Sequence, residues 1–551
     1  MNLLYISLSN IIKQIDMFKI FLSIICFYIF WFYYKYFTRP NPLPGPIPIP
    51  LIGTFEVLKT NLDIDDYLYK LSKIYGQNGI FEITMIGIRQ IIITRAEYAD
   101  DFMYPSTSSS DQDRHTKHMM KTDNEGLLKF FDLENKGIVF NVNYKHWKFN
   151  RQILSRPIRT ACNSEETSKL INHLFEEMMN YWIKLKKHDE DVTIIDATTW
   201  INRFFNDFTS VLITGRRSFA IEAHYHKFKG NSMTKEMSGA ENFAECIVHF
   251  ASDCQMLYIP KILRHFPIIK GRVEKMKYYC DTAYKILEEK IRKRRKEIEK
   301  IISCNNFDPK QLRSDFLTSM IIANTPYETC PQINVDPSLL RPMTDEEIRG
   351  VTFDSYLATD TTTNTLCYVI YYISQQPNVK KKLFEEIKTV FKNDLTRPIT
   401  LDDLNKLKYC EAVIKEAARI RPTFSMVSRL TNQPDEIAGY KWPSDTLFVM
   451  FVRGINNNPI YWKDHDQFIP ERFYESQENQ HKLAFSMFGG GVRICPGRNL
   501  AMIQMKLFLA LLYRKVDVEL VDMKAPLKLK TSAFTVCENL DIKIIHKQLL
   551  S

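Results

Sequence analysis

Ten residues near the C-terminus constrain this chain more than any other stretch: Phe488-Gly-Gly-Gly-Val-Arg-Ile-Cys-Pro-Gly497, leading into the apolar run Asn499 to Leu512. Proline suits the first turn of a helix, where its missing N–H would be unpaired anyway. The spacing therefore predicts a helix starting at Pro496, with Cys495 at or just before its N-terminus. Unpaired backbone N–H groups and the positive end of the helix dipole would then favour the Cys495 thiolate. Gly489, Gly490, Gly491 and Gly497 strip side chains from both sides of the sulfur, so the backbone can lie flat against something broad. Arg493 adds a planar donor fork that matches a carboxylate.

A lone cysteine is more often an inert core residue, and a glycine run is more often a turn or a phosphate cradle. No Gly-Lys-Ser/Thr follows the glycines, which removes the phosphate reading. Thiolate, bare surface and carboxylate clamp together describe the proximal seat of a haem. The frame Phe488-x-x-Gly491-x-Arg493-x-Cys495-x-Gly497 resembles the cysteine-loop signature of the cytochrome P450 family. That resemblance implies haem b (iron protoporphyrin IX) with Cys495 as axial thiolate and metal ligand. It also implies Phe488, Gly491, Arg493 and Gly497 as cofactor-binding positions.

Composition permits a large folded enzyme: the 551 residues are 45% hydrophobic and 13% aromatic, which excludes disorder for most of the chain. The net charge of +10 would suit nucleic acid, an anionic membrane or an acidic partner. The basic run Arg292 to Lys296 is flanked by Glu288, Glu289, Glu297 and Glu299, and reads as a solvated helix face. No groove-reading module accompanies it, so nucleic acid is not an expected partner. Eleven cysteines without a Cys-x-x-Cys pair indicate neither a zinc site nor a disulfide framework, and point to a reducing compartment.

Ile20 to Tyr34 is free of charge and extends past Lys19 and Lys35 if both lysines snorkel, approaching the roughly 20 residues of a membrane span. Trp31, Tyr33, Tyr34 and Tyr36 crowd one end, as at a membrane interface, and no small-residue cleavage site follows. Flanking lysines and arginines balance, so charge does not set the orientation. A proline at nearly every second position from Pro40 to Pro50 predicts a stiff, extended spacer between bilayer and body. The expected organisation is 1–39 as an N-terminal segment with a transmembrane anchor (about 18–37), 40–50 as a proline-rich hinge and 51–551 as the haem-thiolate domain. Resemblance to the membrane-anchored, eukaryotic microsomal type implies the endoplasmic reticulum, with the body cytosolic.

Helical spacing is expected from Leu62 to Tyr75, and a hairpin around Gly87 between Ile80 and Thr94. Residues Asn163 to Lys300 read as helical with breaks near Gly215, Pro260 and Pro267. Asn305 to Pro342 reads as loop, with Pro331 and Pro337 among its helix blockers. Strands are expected from Gly439 to Phe451 and from Leu527 to Ile545. Trp147 and Arg151 share a helix face at i,i+4, which by itself indicates a stacked surface pair. The resemblance makes them haem-propionate partners, and places Arg429 as a second donor.

Thr344-Asp-Glu-Glu347 is a capping box, and the pattern after it runs to Gln376, about 45 Å of helix. A helix that crosses the body should be apolar, yet Ala358 to Thr365 is polar, and buried polar groups are costly unless partnered. This cluster resembles the family's oxygen-binding motif, with Asp360 and Thr361 at the catalytic acid and alcohol positions. Leu357 and Ala358 stand where the family usually has Ala/Gly followed by Gly, and Leu357 would narrow the groove. Glu416, Arg419 and Arg472 match the family's buried ion network. Pocket positions implied by the resemblance are Phe353, Tyr356, Leu357, Thr423 to Val427 and Ser532 to Thr535.

The expected fold is mainly α: the cytochrome P450 fold, a large helical domain plus a small β-rich one, behind a transmembrane helix. The implied activity is that of a haem-thiolate monooxygenase. It would use O2 and electrons from a separate NADPH-cytochrome P450 reductase to oxidise a lipophilic small molecule. Two rivals stand beside it: an O2-independent haem-thiolate isomerase or dehydratase of oxygenated lipids, which could dispense with Asp360 and Thr361, and a haem-binding protein without turnover.

Overall fold

The computed structural model describes residues 2–51, 53–54, 63–85, 87–103, 118–119, 126–186, 192–258, 264–304, 307–308, 311–328, 340–392, 394–475, 481–532 and 534–546. Leu62, the breaks at Pro260, Pro331 and Pro337, and Ala533 lie outside these residues.

The principal helices are α1 (Asn2–Phe37), α2 (Ile64–Tyr75), α3 (Ala96–Met103), α4 (Tyr144–Cys162), α5 (Glu165–Leu185), α6 (Ala197–Thr214) and α7 (Ala220–Lys229). They continue with α8 (Lys235–Asp253), α9 (Pro267–Ile302), α10 (Phe316–Ile322), α11 (Asp345–Gln375), α12 (Pro377–Val390), α13 (Lys408–Ile420) and α14 (Arg498–Lys515). Twelve strands accompany them: β1 (Ile80–Met85), β2 (Ile88–Ile93), β3 (His118–Met119), β4 (Val192–Asp196), β5 (Met426–Thr431) and β6 (Asp435–Ile437). The others are β7 (Tyr440–Trp442), β8 (Leu447–Phe451), β9 (Val516–Leu520), β10 (Lys528–Thr531), β11 (Thr535–Asn539) and β12 (Asp541–His546).

One five-stranded sheet has the order β1-β2-β8-β5-β3, antiparallel except for β2 beside β8. A three-stranded antiparallel sheet runs β4-β12-β9, and β6-β7 and β10-β11 are hairpins. The mainly helical body with small sheets matches the expectation. One segment does not: β4 lies inside the stretch read as helix. Its Val-Thr-Ile-Ile core is β-branched, and its partner β12 lies some 350 residues further on, a pairing that helical periodicity cannot show. Pro267 likewise heads α9 rather than breaking it, as its ring geometry allows at the first turn.

Capping fixes the helix that matters most. Thr344 Oγ1 accepts from the Glu347 N–H at 3.2 Å, and Glu347 Oε2 accepts from the Thr344 N–H at 3.0 Å, closing the predicted capping box. From there α11 runs for 31 residues, most of them buried. It packs against α6, α8, α9, α10, α13 and α14, so its polar residues are confined by neighbours on nearly every side. Helix α14 adds Phe508, set edge-on against Phe175 and Phe204 at 5.5 and 5.2 Å.

The proline segment is not a free-standing spacer. Pro44 O accepts from the Glu82 N–H at 2.9 Å, and a Cβ on Gly45 would sit 2.1 Å from Glu82 O, so only glycine permits this approach. The buried Glu82 carboxylate pairs with Arg39 at 2.6 Å and with Arg89, whose guanidinium also reaches Pro40 O at 2.8 Å. The stretch after α1 is thereby stitched to β1 and β2. Replacing Glu82 by Gln strands two guanidiniums, and should lower stability by about 2–3 kcal/mol. Thermal denaturation should register the loss, with faster protease cleavage between Arg39 and Gly45.

Candidate functional site

A short turn, Gly491–Arg493, shapes the cysteine loop. The Cys495 N–H closes it on Phe488 O at 2.9 Å, and the Ile494 N–H reaches Gly491 O at 3.2 Å. Gly491 has φ +62°, and a Cβ there would lie 2.3 Å from Met103 O, so no other residue fits. Helix α14 starts at Arg498 with Gly497 as its cap, so Pro496 stands in the turn ahead of the helix rather than in its first turn. The N–H that faces the sulfur is consequently that of Gly497.

Cys495 is half-buried, whereas Cys246, Cys254, Cys280, Cys367, Cys410 and Cys537 are sealed. Burial pushes its thiol up, and the Gly497 N–H and the charges of Arg151 and Arg498 oppose that. The helix end alone does not produce the expected thiolate. A bound cation would, because a coordinating thiol loses its proton.

Around the loop lies a cluster of guanidiniums. Trp147, 4% exposed, carries Arg493 over its ring at 4.1 Å and Arg151 at 5.4 Å. Arg151 also donates to Ile494 O, one residue before the cysteine. Arg493 Nη1 donates to Asn141 O at 3.0 Å, while its Nη2 is buried without a partner. Burial, then the positive charges of Arg429 and Arg151, push the Arg493 guanidinium down to about 9. Arg429 lies on β5, where its Nη1 donates to Ser428 O at 2.8 Å. Among the described residues no carboxylate pairs with Arg493, so an anion would satisfy its buried Nη2 and the neighbouring positive charges. Haem carries two carboxylates. A Cβ added at Gly489 would meet nothing within 4 Å, and one at Gly497 would sit 3.9 Å from Cys495 Sγ, so this backbone is bare beside the sulfur. The residues present fit a haem.

On α11 the expected acid and alcohol face different ways. Thr361 is part-exposed and donates to the exposed Ala358 O at 2.8 Å. Asp360 is buried against α6, where its Oδ1 accepts from Asn202 Nδ2 at 2.5 Å and its Oδ2 has no partner. No hydrogen bond joins the two among the described residues. Burial pushes the Asp360 carboxyl up to about 7, against the opposing influence of Arg203 and the Asn202 donor. Arg203 in turn donates to Asn202 Oδ1 at 2.7 Å and is clamped by Glu241 at 2.7 and 2.9 Å. Asn202 and Arg203 escaped sequence reading, although two polar residues between Trp200-Ile201 and Phe204-Phe205 are themselves a signal.

Leu357 is buried, 2% exposed. Phe353 stacks edge-on with Phe250 and Tyr284, and Tyr356 with Phe243, so both face α8 or α9. Of the other pocket positions, Phe424 is the exposed one, 4.5 Å edge-on from Phe534. The charge network does assemble. Glu416 and Arg419, both fully buried, form a double hydrogen bond at 2.7 and 2.8 Å, and Arg472 Nε joins Glu416 at 3.3 Å.

The family model of cytochrome P450 matches residues 43–544, and the chain belongs to that family. Its members bind haem through a cysteine thiolate. Over 179 residues the chain is 36% identical to cytochrome P450 4d2 of Drosophila melanogaster, covering 32% of this chain and 36% of that protein. It is 29% identical over 291 residues to cytochrome P450 71D8 of Glycine max, covering 52% and 54%. These matches span about a third to a half of the relatives' length. The fold is shared more widely: the crystal structure of the cytochrome P450DA heme domain aligns with a TM-score of 0.71 over 93% of this chain and 99% of that one, at 17% identity.

The raised Asp360 carboxyl has a consequence for stability. With a folded value near 7 against an ordinary 3.8, its contribution is full at low pH and is lost progressively up to about pH 7. An Asp360→Asn variant escapes that loss. The melting temperature of the variant minus that of the parent should rise from pH 5 to about 7 and level off above; a flat difference contradicts the assignment.

Proposed function

We propose that this chain is a membrane-anchored haem-thiolate monooxygenase that oxidises a lipophilic small molecule with electrons from a separate reductase. The observation that carries this reading is the half-buried Cys495 sulfur beside the guanidiniums of Arg151 and Arg493, the latter with a buried Nη2 that has no hydrogen-bond partner among the described residues. Cys495 is the axial ligand. Arg493, Arg429, Arg151 and Trp147 hold the propionate side, and Phe488, Gly491 and Gly497 shape the loop. Bound there, the cofactor supplies O2 activation, which a thiolate ligand favours by pushing electron density toward O–O cleavage.

The remaining work falls to α11. The Thr361 hydroxyl spends its proton on Ala358 O, leaving its oxygen free to accept from a water. Asp360, poised near neutrality, can hold or release a proton at its unpartnered Oδ2. Because the two face apart, the relay between them runs through water. Phe424 and Ala358 offer the apolar surface that a lipophilic substrate needs.

The segment Met17–Phe37, 21 residues with mean hydropathy 1.7 and unburied, is long and apolar enough to cross a bilayer. We place it as a single anchor, with the endoplasmic reticulum as the compartment and an NADPH-cytochrome P450 reductase as the electron donor. Full-length protein reconstituted with that reductase should convert a member of a fatty-acid, sterol or terpenoid panel only when O2 and NADPH are both present. Thr361→Ala should cut product formation by roughly a hundredfold. Turnover without O2 would move the chain to the isomerase reading.

A further inference from the structure

The loop from Asp132 to Asn141 crosses α11 where both backbones are bare. Gly137 has φ +70°, and a Cβ on it would sit 2.4 Å from Asp354 Oδ2 and 2.9 Å from Gly350 O. A Cβ on Gly350 would in turn meet the Gly137 nitrogen at 2.5 Å. Asp354 itself is buried, and its Oδ2 accepts two consecutive loop N–H groups, those of Ile138 and of Val139, the latter at 2.8 Å. Its carboxyl is raised to about 7 by burial, with only those two donors opposing, so the side chain serves as a hydrogen-bond acceptor rather than as half of an ion pair. One helical turn away, Arg349 binds Asp132 and Glu288 and holds the start of the same loop.

What the loop carries connects this tie to the arginine cluster. Gly137 O accepts from Asn150 Nδ2 at 2.9 Å and from Asn141 Nδ2 at 3.3 Å. Asn150 is on α4 between Trp147 and Arg151, and both asparagines are 0–1% exposed. Asn141 O accepts from Arg493 Nη1 at 3.0 Å, the hydrogen bond that orients this guanidinium among the described residues. Its other terminal nitrogen is the buried, unpartnered one. The Asp354 carboxyl is therefore linked to Arg493 by its hydrogen bonds to Ile138 and Val139, by the Gly137–Ile138 peptide bond, and by the hydrogen bonds of Gly137 O and Asn141 O.

We propose that Asp354 is a positioning residue for the arginine cluster: by fastening residues 137–141 to α11 it fixes the Asn141 carbonyl, and through it aims Arg493 Nη2 at a haem carboxylate. This rests on the haem reading of the Cys495 loop. An Asn at 354 keeps an acceptor oxygen of the same reach, whereas Ala leaves two buried N–H groups unpaired and frees the loop. Because Asp354 acts through Arg493, removing it should matter only while Arg493 is present.

The test is the rate at which the full-length holoprotein loses haem to an excess of apomyoglobin, with no turnover involved. Asp354→Ala should speed loss by roughly tenfold, and Asp354→Asn should restore a rate within about twofold of the parent. In an Arg493→Ala background Asp354→Ala should add nothing. Gly137→Ala, which pushes the loop off α11 from the other side, should repeat the Asp354→Ala result and serves in its place if that variant does not fold. Additive effects of Asp354→Ala and Arg493→Ala, or parental rates for both Asp354→Ala and Gly137→Ala, overturn the proposal while leaving the haem reading intact. A parent protein that takes up no haem overturns both.

Discussion

A buried guanidinium with an unpaired nitrogen is the constraint on which the rest of this structure turns. Arg493 lies over Trp147, is flanked by the charges of Arg151 and Arg429, and has no carboxylate beside it among the described residues. Protein interiors do not keep like charges together without compensation, because the desolvation cost exceeds what stacking on one indole returns. The arrangement makes sense when the chain is half of a complex. In the proposed reading the other half would carry carboxylates at the arginines and a cation at the Cys495 sulfur. Burial pushes the Cys495 sulfur toward its neutral form, and burial together with the charges of Arg429 and Arg151 pushes the Arg493 guanidinium down. A single planar cofactor that is anionic at its rim and cationic at its centre relieves both.

The longest buried element of the scaffold is α11. Capped by Thr344 and Glu347, it reaches α14 below the cysteine loop and α6, α8 and α9 on its other faces. Its polar residues divide the labour by direction. Thr361 and Ala358 are exposed on one side, Asp360 is bonded into α6 on another, and Asp354 receives the loop that leads to Arg493. In the proposed reading, proton handling by Asp360 and Thr361 and the positioning of Arg493 through Asp354 would share this one helix.

How much of this was legible in the sequence depends on whether the determinant is local. The cysteine loop was readable because glycine, arginine, cysteine and proline at fixed offsets leave few alternatives, although the helix starts at Arg498 rather than at Pro496. The capping box, the long helix and the Glu416–Arg419 pair were readable for the same reason. Strand β4 was not, since β12, the strand it pairs with, is brought near only by folding. Nor was the tie between the proline segment and Glu82, nor the turning of Asp360 toward Asn202, because each depends on a partner brought near only by folding. The resemblance singled out α11 but not the direction its side chains take: Phe353, Tyr356 and Leu357, expected to line the pocket, are buried.

The account stands or falls on the bond between Cys495 and a haem iron. The reduced full-length protein should show, on adding carbon monoxide, the absorption band characteristic of a thiolate-ligated haem, and Cys495→Ala should abolish it. A band of the imidazole-ligated type in the parent protein, or a thiolate band that survives Cys495→Ala, would contradict it.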